Sequence, residues 1–213
     1  MEIHKTSAME LWKEALEYLQ KEGTEYIDNT KRICKEVLRL SLVLEGDFLD
    51  IQDPINAISS SKKWIYPKMQ EITAIMLEGK LSKSYTYSYG ERIFSYYTTN
   101  QMDDFIIPLL KKDPESRRAV VTLWDPKKDG DLYKKAVPGL ISIDFKIRNK
   151  KLHLTAIVRS NDIFIGWPAN LYQLYVLGEY ITQKLQIQLG SITTFSTSAH
   201  IFKDNYADIK NTI

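Results

Sequence analysis

The sequence predicts an α+β fold, with several strands, a long central buried helix and several shorter helices. Three patterns predict it. Residues 140–147 and 151–158 alternate apolar and polar positions around Asn149-Lys150, the signature of a hairpin. Ala169 to Gln186 is apolar nearly all round (Leu171, Leu174, Val176, Leu177, Tyr180, Ile181), as expected of a helix enclosed by other elements. A separate amphipathic helix opens the chain.

Taken in order, Ser7 and Glu10 read as a capping box, with Leu11, Ala15, Leu16 and Leu19 at helical spacing and a stop at Gly23. Val37 to Val43 alternates as a half-buried strand, which Asp53-Pro54 is expected to close. Lys63 to Gly79 carries Trp64, Met69, Ile72, Ile75 and Met76 and predicts a second helix. Ser84 to Tyr97 reads as an irregular loop, and Met102 to Lys111 as a helix interrupted at Pro108. Ala119 to Trp124 is a strand entered through Arg117-Arg118, Gly190 to His200 a last strand and Asn205 to Asn211 a last helix. Repeats and linkers are lacking, so residues 1–213 read as a single domain.

Composition narrows the function classes. The net charge is +2, which argues against nucleic acid or a membrane surface as partner. No apolar run approaches roughly 18 residues, and the first 13 residues lack a signal peptide's apolar stretch. The single cysteine, Cys34, forbids an internal disulfide and fits a reducing compartment, so a cytoplasmic location is expected.

Three segments carry chemistry. Ser116-Arg117-Arg118 places two guanidiniums at a strand start, where their planar forks suit phosphate oxygens; a solvated turn with a surface ion pair is the other interpretation. Arg159-Ser160-Asn161-Asp162 ends an apolar strand, and a cation beside a hydroxyl there can hold a phosphate. Asn170, at the start of the central helix, is either its N-cap or an amide that matches the O4 and N3–H edge of uracil. Ser196 to His200 ends an alternating strand, and His200 is either a structural histidine or a ligand contact.

Together these segments resemble the thymidylate synthase family. The run RSNDIFIGWPAN, with Arg159, Ser160, Asp162, Gly166, Pro168 and Asn170, resembles its signature R-S-x-D-x-x-x-G-x-P-x-N. Ser116-Arg117-Arg118 resembles its upstream double-arginine segment, Tyr89-Gly90 its Y-G element, and Ser198 to Phe202 its late H-x-Y element. The wording of the later part is most similar to the short archaeal branch. The resemblance implies an α+β fold whose large twisted sheet forms a dimer interface. It implies that Arg159 and Ser160 hold a nucleotide 5′-phosphate, with Arg32 near the first strand as a further phosphate arginine. Arg117 and Arg118 would reach the same phosphate from the partner subunit of a homodimer. Asn170 would read the pyrimidine edge, Asp162 would lie near the base and the folate, and His200 would bond the sugar 3′-hydroxyl. Glu71 stands for a family glutamate on the second helix. The implied cofactor is 5,10-methylenetetrahydrofolate or a related pterin, without a metal.

Two positions depart from the pattern. Where the family has its nucleophilic cysteine, this chain reads Val137-Pro138-Gly139-Leu140, with Gly139 in the cysteine's place. The uracil C5 carbon is a poor nucleophile until a thiolate adds to C6, and glycine offers nothing to add. Cys34 is either a substitute thiolate, its pKa lowered by neighbouring cations, or a small core residue. The second departure is Phe202, which replaces the family's sugar-binding tyrosine and removes a hydroxyl. The chain is therefore expected to bind a pyrimidine nucleotide such as dUMP or UMP. Altered chemistry at the base, with Ser142 and Asp144 as candidate groups, is one outcome. The alternatives are a non-catalytic paralogue or sensor, and a true thymidylate synthase whose nucleophile has been replaced.

Overall fold

A computed structural model describes residues 1–61, 63–64, 66–79, 87–96, 98–134 and 136–212. The chain divides into two compact units. The first comprises Met1–Tyr66, Val158–Tyr172 and Ile192–Ile213, the second Pro67–Ile157 and Gln173–Ser191. The fold is a mixed α+β one, with sheet strands both parallel and antiparallel.

In the first unit, β1 (Glu2–Lys5) leads into α1 (Ala8–Glu22). The N-cap forms as the sequence predicts, with Ser7 Oγ accepting from the Glu10 N–H at 3.1 Å. It is reinforced from afar: Asp50 accepts from the Ala8 and Met9 amides at 2.9 and 3.0 Å and from the Ser7 hydroxyl. This places a carboxylate at the positive end of a helix. Leu11, Trp12, Ala15, Leu16 and Leu19 form the buried stripe of α1.

Two strands escape the sequence pattern, β1 and β2 (Thr24–Ile27); every residue of β2 is exposed, so it shows no alternation. The predicted strand is longer than expected, running as β3 (Ile33–Glu45). Its first half pairs antiparallel with β2 and its second half parallel with β1, the two halves meeting at Arg39, whose φ is +62°. Asp53-Pro54 does not close this strand. It opens α2 (Asp53–Ser60), with proline in the first turn, where its missing N–H costs no bond.

The second unit begins with α3 (Met69–Leu77), which starts six residues later than predicted, beyond Pro67. Part of the expected loop over 84–97 is α4 (Tyr89–Phe94), capped by Ser88 accepting from the Glu91 N–H at 3.0 Å; residues 84–86 and 97 lie outside the described residues. Pro108 interrupts its helix as expected: a π-helical turn, Gln101–Ile106, precedes α5 (Ile107–Lys112). Then come β4 (Val120–Thr122), the single turn α6 (Pro126–Asp129), and the hairpin of β5 (Leu140–Arg148) and β6 (Lys151–Val158). Asn149 and Lys150 take φ of +51° and +60°, as a two-residue hairpin turn requires.

The short β7 (Asn161–Asp162), the helix α7 (Gly166–Leu185) and β8 (Gln188–Phe202) follow, with α7 and β8 each passing from one unit to the other. Helix α7 is buried along most of its length, as its all-round apolarity predicts. In the first unit the strand order is β1-β3-β8, with β7 beside β8; in the second it is β8-β6-β5-β4. A 3-10 turn, Lys203–Asn205, and α8 (Tyr206–Thr212) end the chain.

Candidate functional site

The motif spanning Arg159 to Asn170 lies in the first unit, and its folding is set by β8. Strand β7 pairs parallel to β8, with Asn161 opposite Ala199 and Asp162 opposite His200. Side chains fasten the rest. The Thr197 hydroxyl donates to the Arg159 carbonyl at 2.8 Å, Asn161 Nδ2 to Ser196 Oγ at 3.0 Å, and Trp167 Nε1 to Thr194 Oγ1 at 2.9 Å. Asp162 Oδ1 accepts from the Phe164 and Ile165 amides at 3.0 and 3.1 Å, closing a turn that delivers the chain into α7. The Tyr66 hydroxyl holds the same entry, donating to the Ile165 carbonyl at 2.7 Å and accepting from the Ala169 N–H at 3.0 Å. Helix α7 thus begins at Gly166, and Asn170 sits inside it, half-buried. The N-cap interpretation of Asn170 is therefore overturned.

Arg159 is half-buried and Ser160 exposed in the turn after β6. Arg32 stacks over the Phe202 ring, its Cζ 3.5 Å from the centroid, and its Nε lies 3.5 Å from an Asp204 oxygen. Phe202 packs edge-on against His200 with centroids 5.0 Å apart. Arg32, Asp162, His200 and Phe202 are thus one neighbourhood. Burial pushes the Asp162 carboxyl above its ordinary value, although the two amide bonds and the charges of His200 and Arg32 oppose this. Burial pushes the His200 imidazole down, against the pull of Asp162, Glu36 and Asp28. The pair is thereby biased towards its uncharged forms. His200 Nδ1 is buried and has no hydrogen-bond partner among the described residues, so the ring keeps a polar atom for water or a ligand.

Sequence reasoning missed Trp64 and Trp12. Trp12 stacks on Phe164 at 5.8 Å and donates to the Ile163 carbonyl at 2.7 Å, while Trp64 meets Phe164 edge-on at 6.4 Å. Trp64 Nε1 is buried without an acceptor among the described residues. No spacing rule links residue 64 to residue 164; only the aromatic count hints at such a wall.

The other predicted residues lie in the second unit. Arg117 and Arg118 are exposed between α5 and β4, and Glu71 is exposed in the first turn of α3. Gly139 is half-buried, one residue before β5. Its segment is held by two tyrosines: Tyr87 donates to the Val137 carbonyl and Tyr89 accepts from the Leu140 N–H, each at 3.4 Å. Ser142 and Asp144 share one face of β5, and Asp144 pairs with Lys146. Cys34, in the first unit, is fully buried, and its burial pushes the thiol up, opposite to activation. Among the described residues no cluster of acids, histidines and cysteines could hold a metal ion, and no helix is long and apolar enough to cross a membrane.

The Arg159–Ser160 turn, a buried acid–histidine pair and an aromatic wall thus surround one helix entry in an α+β protein. Comparison with known proteins specifies the family. The family model described as "Thymidylate synthase" matches residues 8–213. The chain is 30% identical over 202 residues to a Methanosarcina barkeri protein described as "Putative thymidylate synthase", covering 95% of this chain and 89% of that one. A protein of the same description from Methanothermobacter marburgensis is 31% identical over 221 residues, covering 100% and 97%. A Buchnera aphidicola "Thymidylate synthase" is 31% identical over 131 residues, 59% of this chain and 48% of that one. The chain belongs to the thymidylate synthase family.

Proposed function

We propose that this chain binds a uridylate-like pyrimidine nucleotide and does not perform methyl transfer through a protein nucleophile. The observation that carries this is the turn from Arg159 to Asn170, kept intact by its bonds to β8 while Gly139 supplies no thiol. In this reading Arg159 and Ser160 hold the 5′-phosphate, with Arg32 released from Phe202 to join them. Asn170 reads the pyrimidine edge. His200 offers its free nitrogen to the sugar, and Phe202, lacking a hydroxyl, leaves selection of deoxyribose over ribose weak. Arg117 and Arg118 reach the partner's phosphate in a homodimer. A single working domain is supported by α7 and β8, which contribute residues to both units. The lone reduced Cys34 supports a cytoplasmic location.

The residues present fit a pterin on one side. Trp64 Nε1 is a buried donor without a partner among the described residues, set against the Phe164 ring, and Asp162 is a carboxyl fixed through one oxygen to the Phe164 amide. Trp64 and Asp162 would hold methylenetetrahydrofolate, which when bound supplies the one-carbon unit. Two described candidates for activating the uracil C5 fail. Cys34 is buried with its thiol pushed up, and Asp144 is paired with Lys146, so neither stands in for the missing thiolate. A non-catalytic sensor is the second reading, favoured by these same two facts.

Calorimetric titration with dUMP, UMP, dCMP and CMP tests the proposal. The expected outcome is uridylate binding that Arg159→Ala abolishes, with no dTMP detected by mass spectrometry after incubation with dUMP and methylenetetrahydrofolate. Turnover to dTMP would overturn the catalytic half. Failure of all four nucleotides to bind would leave the motif a scaffold only.

A further inference from the structure

The second unit contains a groove that none of the candidate site residues lines. Leu110, Ile147, Leu185 and Ile187 form its apolar floor, and the cavity measures about 500 Å³, the size of a small-ligand site. Its rim carries Lys111, Arg148 and Lys150, with Glu115 as the one acid. None of the three cations forms an ion pair among the described residues. Arg148 Nη1 donates only to the neutral carbonyl of Ile147, at 2.6 Å. Glu115 is likewise unpaired among the described residues, so the rim keeps a surplus of positive charge.

The walls are set by backbone geometry. Asn149 and Lys150, both left-handed, lock the hairpin turn that carries Arg148 and Lys150. Gln186, at φ +56°, ends α7, and the Ile187 N–H returns to the Thr182 carbonyl at 3.2 Å, fixing Leu185 and Ile187. Converging unpaired cations above an apolar floor repel one another, and an anion with an apolar body relieves both features at once. The carboxyl ends of α5 and α7, which lie at the groove, favour cations; they offset part of this field but leave the side-chain surplus.

We propose that this groove binds a small amphipathic anion, its phosphate or carboxylate head between Arg148, Lys150 and Lys111 and its apolar body on Leu185 and Ile187. The site is independent of the nucleotide reading. The test is calorimetry on the full chain with octyl phosphate, inorganic phosphate and octanol as probes, repeated on an Arg148→Gln/Lys150→Gln variant. Both positions are exposed, so the variant is expected to unfold at the wild-type temperature. Octyl phosphate is expected to bind at least about tenfold tighter than either partial probe and to weaken at least about tenfold in the variant. Equal affinity for inorganic phosphate, or an unaffected variant, would overturn the proposal. So would binding to phosphatidylglycerol vesicles without binding of free octyl phosphate, since that would assign the groove to a membrane surface.

Discussion

Asp129 in the second unit and Asp162 in the first are both desolvated acids, yet their surroundings treat them oppositely. Asp129 is fully enclosed, and burial alone would raise it. The Arg92 guanidinium meets it through two nitrogens, one at 2.9 Å, and the Asp125 N–H adds a bond at 2.9 Å, so the carboxyl is held below its ordinary value. Arg92 also donates to the Leu123 carbonyl at 2.6 Å and lies over the Tyr87 and Tyr96 rings. Asp162 receives two amides and no ion pair among the described residues, and it is pushed up. The same contrast holds for buried polar atoms without partners among the described residues. Trp64, Asn161, His200, Asn205 and Tyr206 of the first unit provide them, whereas the second contributes only Gln173 Oε1. A unit that satisfies its buried polarity internally is built for stability; one that leaves it open has polar atoms to offer a ligand.

The largest effect expected from this contrast is at Arg92. Arg92→Met leaves the buried Asp129 carboxylate with only Lys134, 3.3 Å away, as a counter-charge and should cost up to about 3–5 kcal/mol in urea denaturation, since breaking a buried pair strands most of its charge. A loss below about 1 kcal/mol, the range of exposed pairs, would break the comparison by making the pair ornamental. The pH dependence has a definite sign. Because the folded Asp129 pKa is depressed, its contribution is complete above the unfolded value of 3.8 and disappears as pH falls through the folded one.

Asp50 is the intermediate case, a carboxylate also held below its ordinary value, by the Ser7 hydroxyl and the first amides of α1. Asp50→Ala should cost about 1–2 kcal/mol, the range for a lost helix cap, and Ser7→Ala less, because Asp50 still covers Ala8 and Met9. Equal losses in the two variants, measured by thermal unfolding, would show that Asp50 acts only through Ser7.

The sequence discloses α1, the β5–β6 hairpin, α7 and β8 because each buries one face or all faces, and burial imposes a period. It discloses neither β1, whose four residues bury only Ile3 and are too few to show a period, nor β2, every residue of which is exposed, and it misplaces the helix entry at Asn170 because the turn is made by Asp162 rather than by a capping residue at 169 or 170. The motif residues Arg159, Ser160 and Asp162 stand out as polar groups interrupting an apolar run. Asp50 as a helix cap and Trp64 as a wall residue are invisible because their partners lie 41 to 43 and 100 positions away, contacts that only the fold creates.

The smallest effect, and the sharpest on the comparison, is Asp162→Asn. Asparagine keeps an oxygen for the Phe164 and Ile165 amides, so the turn survives the substitution. In the wild type the folded pKa of Asp162 lies above the unfolded value of 3.8, so the native state binds the extra proton. Stability then falls as pH rises from about 3.8 through the folded value, and that loss persists at higher pH. The variant escapes it, while Asp129 and Asp50 contribute equally to both proteins and cancel. His200, whose depressed pKa makes stability fall as pH drops below 6.5, loses the attraction of the Asp162 charge in the variant, which deepens that acid-side loss. Both effects act in one direction. The unfolding temperature of Asp162→Asn relative to wild type, followed from pH 4 to pH 8, should rise with pH and then level off once Asp162 and His200 have both titrated in the folded state. A flat difference across that range would mean that Asp162 titrates like a solvated carboxylate, and the contrast with Asp129 would then rest on the arginine alone.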